Sequence, residues 1–171
     1  MPYHDAKSTL AARGQIQLRF LKRAPKVVAT FQCLIVSADR ERREMFERAA
    51  ADGGWKTALC SDAPTALAYI HRSLVQLAIV DLESPQAEVF RPVVEQFTGA
   101  SGLLLIVCGN EGEIEEEVWV RQLGAWLYLP GVVDGSNFAL LCGEARQIAE
   151  RLWKPHGAEN GAGSTRAHPN G

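Results

Sequence analysis

The stretch LAIVDLESP, residues 77–85, places one aspartate, Asp81, at the end of a continuous apolar run. Strands that are buried on both faces read as such runs, and they are typical of parallel sheets. A carboxylate at the end of a buried strand has two interpretations. It can be a functional group, because sites in α/β sheets form beyond the carboxyl ends of the strands. It can also simply end the strand or cap the helix that follows.

The pattern around this stretch repeats along the chain. Short apolar runs rich in β-branched residues alternate with segments of helical periodicity, which predicts five β-α units with short connections. Pro92 is expected to kink or divide the third helix. Such an alternation predicts an α/β fold, a doubly wound five-stranded parallel sheet with helices on both faces. The strands are predicted at residues 33–37, 55–60, 77–81, 103–108 and 125–129, and the final helix at 136–153.

Composition separates a core from two ends. Residues 1–30 form a basic N-terminal arm with six Lys and Arg against one Asp, a net charge of +5, whereas the whole chain carries −2. This arm is either a solvated extension or a segment that binds an acidic partner. Residues 31–154 are predicted to form the folded domain. Residues 155–171 are Gly-rich and polar without periodicity, which predicts a disordered C-terminal tail.

Several classes of function lose support from the sequence. No apolar run approaches the ~20 residues needed to span a bilayer, and the N-terminus lacks a secretory signal, so we expect a cytoplasmic protein. The four cysteines and four histidines are scattered, which predicts reduced thiols and no metal site. There is no glycine-rich nucleotide motif and no G-x-S-x-G elbow. A pI of about 6.1 does not favour binding to nucleic acid.

Residues 33–153 resemble the receiver domains of two-component response regulators, the CheY-like family. LAIVDLESP is similar to the strand that carries the phosphorylated aspartate of that family. RQLGAWLYLP, residues 121–130, resembles the family's passage from the fourth helix into the fifth strand. CLIVSADRERREMF, residues 33–46, resembles its first strand and acidic turn. The resemblance implies a flavodoxin-like sheet of strand order 2-1-3-4-5.

The resemblance implies that Asp81 is the candidate phosphoacceptor. In the family, two acidic residues after the first strand help to hold Mg²⁺. Ser37 and Ala38 match those two positions, and Asp39 follows one residue later. A weak alternative is that Asp39 and Asp81 together bind the metal. Otherwise we expect no cofactor, because one carboxylate alone binds Mg²⁺ poorly.

Three further positions of the family's site differ in chemistry. Cys108 matches the family's Thr or Ser, and Cys is a weaker hydrogen-bond donor. Gly131 matches the family's Lys, so the ammonium that would compensate a phosphoryl charge is missing. The third of these positions is Glu83, which lies two residues after Asp81. The site is therefore predicted to be degenerate, and phosphorylation of Asp81 to be slow or absent.

A candidate partner surface follows from the acidic stretch 109–119 and the aromatic residues after it. In receiver domains the fourth helix and fifth strand contribute to the surface that partners bind. Exposed glutamates there would attract a basic segment, including the N-terminal arm. Aromatic side chains are enriched at interface hot spots, and Trp126 is predicted to point outward. The candidate residues are Glu113, Glu116, Trp119, Trp126 and Tyr128.

We therefore expect a stand-alone pseudo-receiver that acts as a protein-interaction module in two-component signal transduction and is not an enzyme. Its partner would be a kinase, an effector or a second copy. One alternative is a working phosphorelay receiver that is phosphorylated on Asp81 with Mg²⁺. Another is an adaptor or dimerisation module that functions without phosphorylation, for which loss of the Trp126 surface would abolish association while Asp81→Ala changed nothing. A Cys108 nucleophile is disfavoured because no histidine is predicted near it.

Overall fold

The computed structural model describes residues 30–83, 87–131 and 134–153. Its five strands form one all-parallel sheet of order β2-β1-β3-β4-β5, so the predicted fold and strand order are confirmed. The order in which the chain adds strands to the sheet reverses between β1 and β3. Ligand sites of doubly wound sheets form at this switch point. The strands are β1 Gln32–Val36, β2 Lys56–Cys60, β3 Leu77–Asp81, β4 Leu104–Gly109 and β5 Leu127–Pro130.

Five helices follow the strands and cover both faces of the sheet. The side chains of α1 and α5 pack in one apolar cluster on one face, and those of α2, α3 and α4 pack in a second cluster on the other face. Every residue of β3 and β4 is buried, as expected for strands covered on both sides. The helices are α1 Arg40–Asp52, α2 Ala63–Arg72, α3 Ala87–Thr98, α4 Ile114–Leu123 and α5 Gly135–Leu152.

Local sequence signals explain where several helices begin and end. Asp39, Asp62 and Asp134 each cap a helix by accepting a hydrogen bond from a backbone N–H of its first turn. Gly124 ends α4 with φ of 93°, a left-handed conformation that glycine adopts at little cost. These caps fix where the loops leave the sheet, and therefore where the site residues lie.

The boundaries predicted for the strands and for the final helix agree with the structure to within about two residues, and those of β3 agree fully. Pro92 was expected to kink or divide the third helix, and it does not divide it, because it lies inside the continuous α3. The predicted N-terminal arm, the C-terminal tail and Pro85 lie outside the described residues. Among the helices that the structure describes, none is long and apolar enough to cross a membrane.

Candidate functional site

The site lies at the carboxyl edge of the sheet, where three neighbouring strands end. Val36 of β1 is in register with Val80 of β3, so Ser37 and Asp81 follow side by side. Asp81 is in turn paired in register with Cys108 of β4. The side chains of Ser37 and Asp81 are fully buried. The topology thus brings together Ser37, Asp81 and Cys108, as the sequence predicts.

Both carboxylate oxygens of Asp81 accept hydrogen bonds. Ser37 Oγ donates to Asp81 Oδ2 at 2.7 Å, and Arg42 Nε donates to the same oxygen at 2.8 Å. The backbone N–H of Glu83 donates to Oδ1 at 3.2 Å. Asp81 is therefore hydrogen-bonded to a guanidinium and is not an isolated carboxylate. The sequence did not predict this contact.

Arg42 enters the site from the first turn of α1. Its Nε pairs with Asp81, and its Nη1 pairs with Glu83 Oε2 at 2.7 Å, so one guanidinium bridges two carboxylates. The next residue, Arg43, donates from Nη1 to the carbonyl oxygen of Ser37 at 2.6 Å. Two consecutive arginines thus join α1 to the carboxyl edge of the sheet.

A signal for Arg42 was present in the sequence. Arg40, Arg42 and Arg43 lie within the first turn of α1. Cations are unfavourable near the amino end of a helix, because the macrodipole is positive there. Such a cluster indicates that a nearby anion compensates for it. Asp81 and Glu83 compensate Arg42, whereas Arg40 pairs with Glu44 of its own helix.

The electrostatics of the bridge follow from its burial. Burial alone would lower the pKa of Arg42, but its hydrogen bond to Asp81 and the charges of Asp81 and Glu83 outweigh burial and raise the pKa. Burial raises the pKa of Glu83; the negative charge of Asp81 adds to this and Arg42 opposes it. Arg42 Nη2 and Glu83 Oε1 are buried without a hydrogen-bond partner among the described residues. The guanidinium therefore stays charged, with spare hydrogen-bonding capacity inside the bridge.

Cys108 and Gly131 add no charge to the site. Burial, and then the neighbouring charge of Asp81, raises the pKa of the Cys108 thiol well above its ordinary value, so it stays protonated. Gly131 has φ of 80° and donates its backbone N–H to the carbonyl oxygen of Gly109 at 3.0 Å. Neither residue offers a reactive or cationic side chain.

The donor set around Asp81 does not fit Mg²⁺. Ala38 has no oxygen in its side chain, and the exposed carboxylate of Asp39 caps α1 by accepting from the N–H of Arg42 at 2.9 Å. Asp81 Oδ2 is paired with Arg42, whose charge would repel a divalent cation. Among the described ranges, no group of three or more Asp, Glu, His or Cys could hold a metal. The arrangement instead gives Asp81 a cation from its own chain.

The predicted partner surface is only partly exposed. Glu116 and Tyr128 are buried, and Tyr128 Oη donates to Glu116 Oε1 at 2.9 Å. Both were predicted to be surface residues, and both predictions are wrong. Glu116 shares the helix stripe of Val120 and Leu123, which the i, i+4, i+7 spacing of the sequence could have indicated. Glu113 is exposed, as predicted.

The two tryptophans of that predicted surface also turn towards the protein. Trp119 is half-buried against the cluster beneath α4, and the guanidinium of Arg91 lies 4.8 Å from its ring centroid. Trp126 was expected to point outward, but it is half-buried and packs against the cluster of α1 and α5. The aromatic rings contribute mainly to the core, because an edge strand covered by two helices has little free surface.

Comparison with solved structures places the chain among receiver domains in fold. It matches a CheY-like response regulator receiver domain protein from Methanospirillum hungatei JF-1 with a TM-score of 0.61 and 19% identity, over 72% of this chain and 97% of that chain. It matches the receiver domain of NtrX from Brucella abortus with a TM-score of 0.58 and 19% identity, over 68% of this chain and 98% of that chain.

A third match is the chemotaxis response regulator CheY4 of Vibrio cholerae, with a TM-score of 0.58 and 17% identity over 68% of this chain and 98% of that chain. No protein-family model matches the sequence, and no curated protein matches it. The predicted resemblance is confirmed at the level of the fold. The chain has the fold of the CheY-like response regulator receiver domains.

Proposed function

We propose that this chain is a pseudo-receiver, a signalling domain that binds a protein partner and does not depend on phosphorylation of Asp81. The observation that carries the proposal is the bridge from Arg42 to Asp81 and Glu83 at 2.8 and 2.7 Å. In this role the Arg42 guanidinium takes the place of a dissociable cation and compensates the charge of Asp81.

The physical argument concerns the nucleophile. A carboxylate oxygen must be free to attack a phosphoryl group, but both oxygens of Asp81 accept hydrogen bonds and the side chain has no exposed surface. Opening the bridge would leave buried charges unpaired, which costs about 3–5 kcal/mol. That cost adds to the barrier of phosphoryl transfer, since about 1.4 kcal/mol corresponds to a tenfold loss of rate.

Other groups of the site do not offset this barrier. The Cys108 thiol is a weak hydrogen-bond donor, and Gly131 offers no side chain to stabilise charge on a phosphoryl oxygen. An enzymatic role for Cys108 is also unsupported, because its raised pKa keeps the thiol protonated. These features favour a binding domain over an enzyme.

The test is intact-mass analysis of the folded chain after incubation with acetyl phosphate and Mg²⁺, beside Asp81→Ala. We expect no phosphoryl adduct on either protein. The NtrX receiver domain, of the same fold, is treated in parallel as a comparison sample. A single adduct on the wild type that is lost in Asp81→Ala would overturn the proposal and favour a working receiver.

A further inference from the structure

Two exposed apolar side chains of α4 lie next to several exposed glutamates. Ile114 and Val118 lie one turn apart and are 73% and 46% exposed. Residues four apart lie on the same side of a helix, so the two side chains form one continuous patch. We call this patch, together with Glu115 and with Glu111 and Glu113, which precede the first residue of α4, the α4 face.

The carboxylates of the α4 face are exposed, and none forms an ion pair with any residue that the structure describes. Of the two glutamates that follow in α4, Glu116 is buried, and Glu117 is paired with Arg121 at 2.8 Å and is therefore compensated. The α4 face thus combines apolar area with three negative charges. Its chemistry fits a segment that is both apolar and basic.

The same chain contains a segment with that composition. Residues 16–26, IQLRFLKRAPK, hold four apolar residues of large side chain, four basic residues and no acidic residue. We call residues 16–26 the basic segment. Its positive charges are Arg19, Lys22, Arg23 and Lys26.

A second copy is a poorer occupant for the α4 face. A symmetric dimer brings the same surface patch of each copy together. Two α4 faces would then place six glutamates opposite one another, and like-charge contacts across an interface are unfavourable. The charge of the α4 face therefore favours a basic partner over its own copy.

The length of the chain allows the basic segment to reach α4. The eight residues that separate Lys22 from Thr30, next to β1, span at most about 28 Å when extended. To reach α4, the segment must pass along β1, which is about 17 Å long, and across the two strand spacings from β1 to β4, which are about 10 Å. Even when these two distances are taken one after the other, they stay within that reach. A tethered segment also acts at an effective concentration of up to about millimolar, so weak contacts suffice.

We propose that the basic segment, residues 16–26, binds the α4 face of its own chain. Its apolar residues cover Ile114 and Val118, and its cations Arg19, Lys22 and Arg23 lie near the glutamates of the α4 face. Docking requires no other molecule. A regulatory consequence rests on the proposed function: a partner that binds the α4 face must first displace the basic segment.

The test is zero-length carbodiimide crosslinking of the full chain, which joins a lysine amine to a carboxylate, followed by peptide mapping. We expect crosslinks from Lys22 to the glutamates of the α4 face, in monomeric protein and at a yield independent of protein concentration. High salt should lower the yield severalfold, because the screening length falls from about 10 Å at 0.1 M to about 3 Å at 1 M. Exposed Lys56 lies in β2 at the opposite edge of the sheet and should form no such crosslink.

A pair of variants separates the apolar contact from the reactive groups. The double variant Ile114→Gln and Val118→Gln keeps every carboxylate and should reduce the crosslink severalfold. Leu140→Gln is the matched control, because Leu140 is 71% exposed on α5, and it should change nothing. Absence of the wild-type crosslink, equal yields in the double variant, or crosslinks confined to dimers would overturn the proposal. The crosslink does not involve Asp81, so its failure is distinct from a failure of the phosphorylation test.

Discussion

At the scale of single residues, Arg42 decides the chemistry of the site. A buried carboxylate needs a compensating charge, and here the charge comes from a side chain of the same molecule. Arg42 is 18% exposed and Asp81 is fully buried, so water screens the pair weakly. The pair therefore behaves as a buried salt bridge, whose rupture costs more than its formation contributes.

Replacing Arg42 by Gln should lower the free energy of unfolding by about 3 kcal/mol, because Asp81 would keep a buried charge without a counter-ion. Urea denaturation followed by circular dichroism measures this loss. The matched control is Arg40→Gln on the same helix turn, whose pair with Glu44 is exposed to solvent, so this substitution should change the stability little.

The partner substitution makes the Arg42 prediction specific. Asp81→Asn removes the negative charge, so the double variant with Arg42→Gln should lose less stability than the two single losses added together. Additive losses, or equal costs for Arg42→Gln and Arg40→Gln, would show that the guanidinium does not compensate Asp81.

Magnesium should leave the thermal stability unchanged. A ligand that binds the folded state at ten times its dissociation constant stabilises the protein by about 1.4 kcal/mol. The donors around Asp81 do not fit the ion, so we expect equal melting temperatures in MgCl₂ and in EDTA with KCl at matched ionic strength. A rise in melting temperature specific to Mg²⁺, and absent in Asp81→Ala, would contradict this.

The sequence predicted part of this site, and the missing part has a physical reason. Asp81 and its neighbours Ser37 and Cys108 were predictable, because parallel strands end at one edge of the sheet. Arg42 lies on a helix, and its long flexible side chain can reach many positions. The arginines at the start of α1 indicate that an anion lies nearby, but the anion that Arg42 contacts depends on tertiary structure, which no local pattern specifies.

At the scale of elements, the contact between α4 and the sheet depends on a buried polar pair. Tyr128 of β5 donates to Glu116 of α4, and the backbone N–H of Asn110 donates to the same carboxylate oxygen at 3.3 Å. Burial, and then the hydrogen bond to Glu116, raises the pKa of Tyr128. Gly109 leaves the space for this pair, since a Cβ there would overlap Tyr128 Oη and Glu116 Oε1.

Gly109→Ala should therefore destabilise the protein by about 1–3 kcal/mol, as overpacking does in a filled interior. Gly143 in the middle of α5 offers the opposite case, because a Cβ there meets no atom within 4 Å. Gly143→Ala should stabilise the protein by about 0.5–1 kcal/mol through its better helix propensity. Thermal denaturation of both variants checks the two signs. A shared sign would contradict the role of Gly109.

Most elements were predictable because their signals are local. The run LAIVD gave β3 without error, and Asp62 followed by Pro64 marked the start of α2. A division of the third helix at Pro92 was one of two expected outcomes, and it does not occur. The helix α3 continues through this residue although it lacks a backbone N–H. The burial of Glu116 was not predicted, because the free-energy cost of burying its carboxylate is offset by a hydrogen bond from Tyr128, a residue of another element.

At the scale of the whole molecule, two apolar clusters enclose the sheet and contain all four cysteines. Each thiol is buried, and none forms a disulfide within the described part of the chain. Burial raises the pKa of each of them, in the case of Cys142 to about 12. The folded state therefore holds protons that the unfolded chain releases at lower pH.

Stability should consequently fall in alkaline solution. A raised pKa in the folded state contributes stability below the pKa of the unfolded thiol, about 8.5, and this contribution declines as the pH rises towards the folded value. Each thiol that ionises in the unfolded chain alone adds a slope of up to about 1.4 kcal/mol per pH unit. Urea denaturation under reducing conditions, between about pH 7 and pH 10, measures the slope.

Cys108→Ala provides the internal check on the alkaline prediction. It removes one buried thiol, so its slope above the thiol pKa should be smaller by up to about 1.4 kcal/mol per pH unit. A flat profile for the wild type, or rapid reaction of the folded protein with a thiol reagent at neutral pH, would show that the cysteines are more accessible than the structure indicates.

The bridge of Arg42 determines whether the counter-ion of Asp81 depends on conditions in the cell. Because this counter-ion is synthesised with the chain, dilution, chelation or a change in metabolite levels does not alter its occupancy. A pseudo-receiver of the proposed kind would therefore not respond, at Asp81, to the concentration of a metal ion or a metabolite. Under the proposed function, the amount of compensated Asp81 then follows the number of copies, so transcription and proteolysis would set it in place of a kinase and a phosphatase.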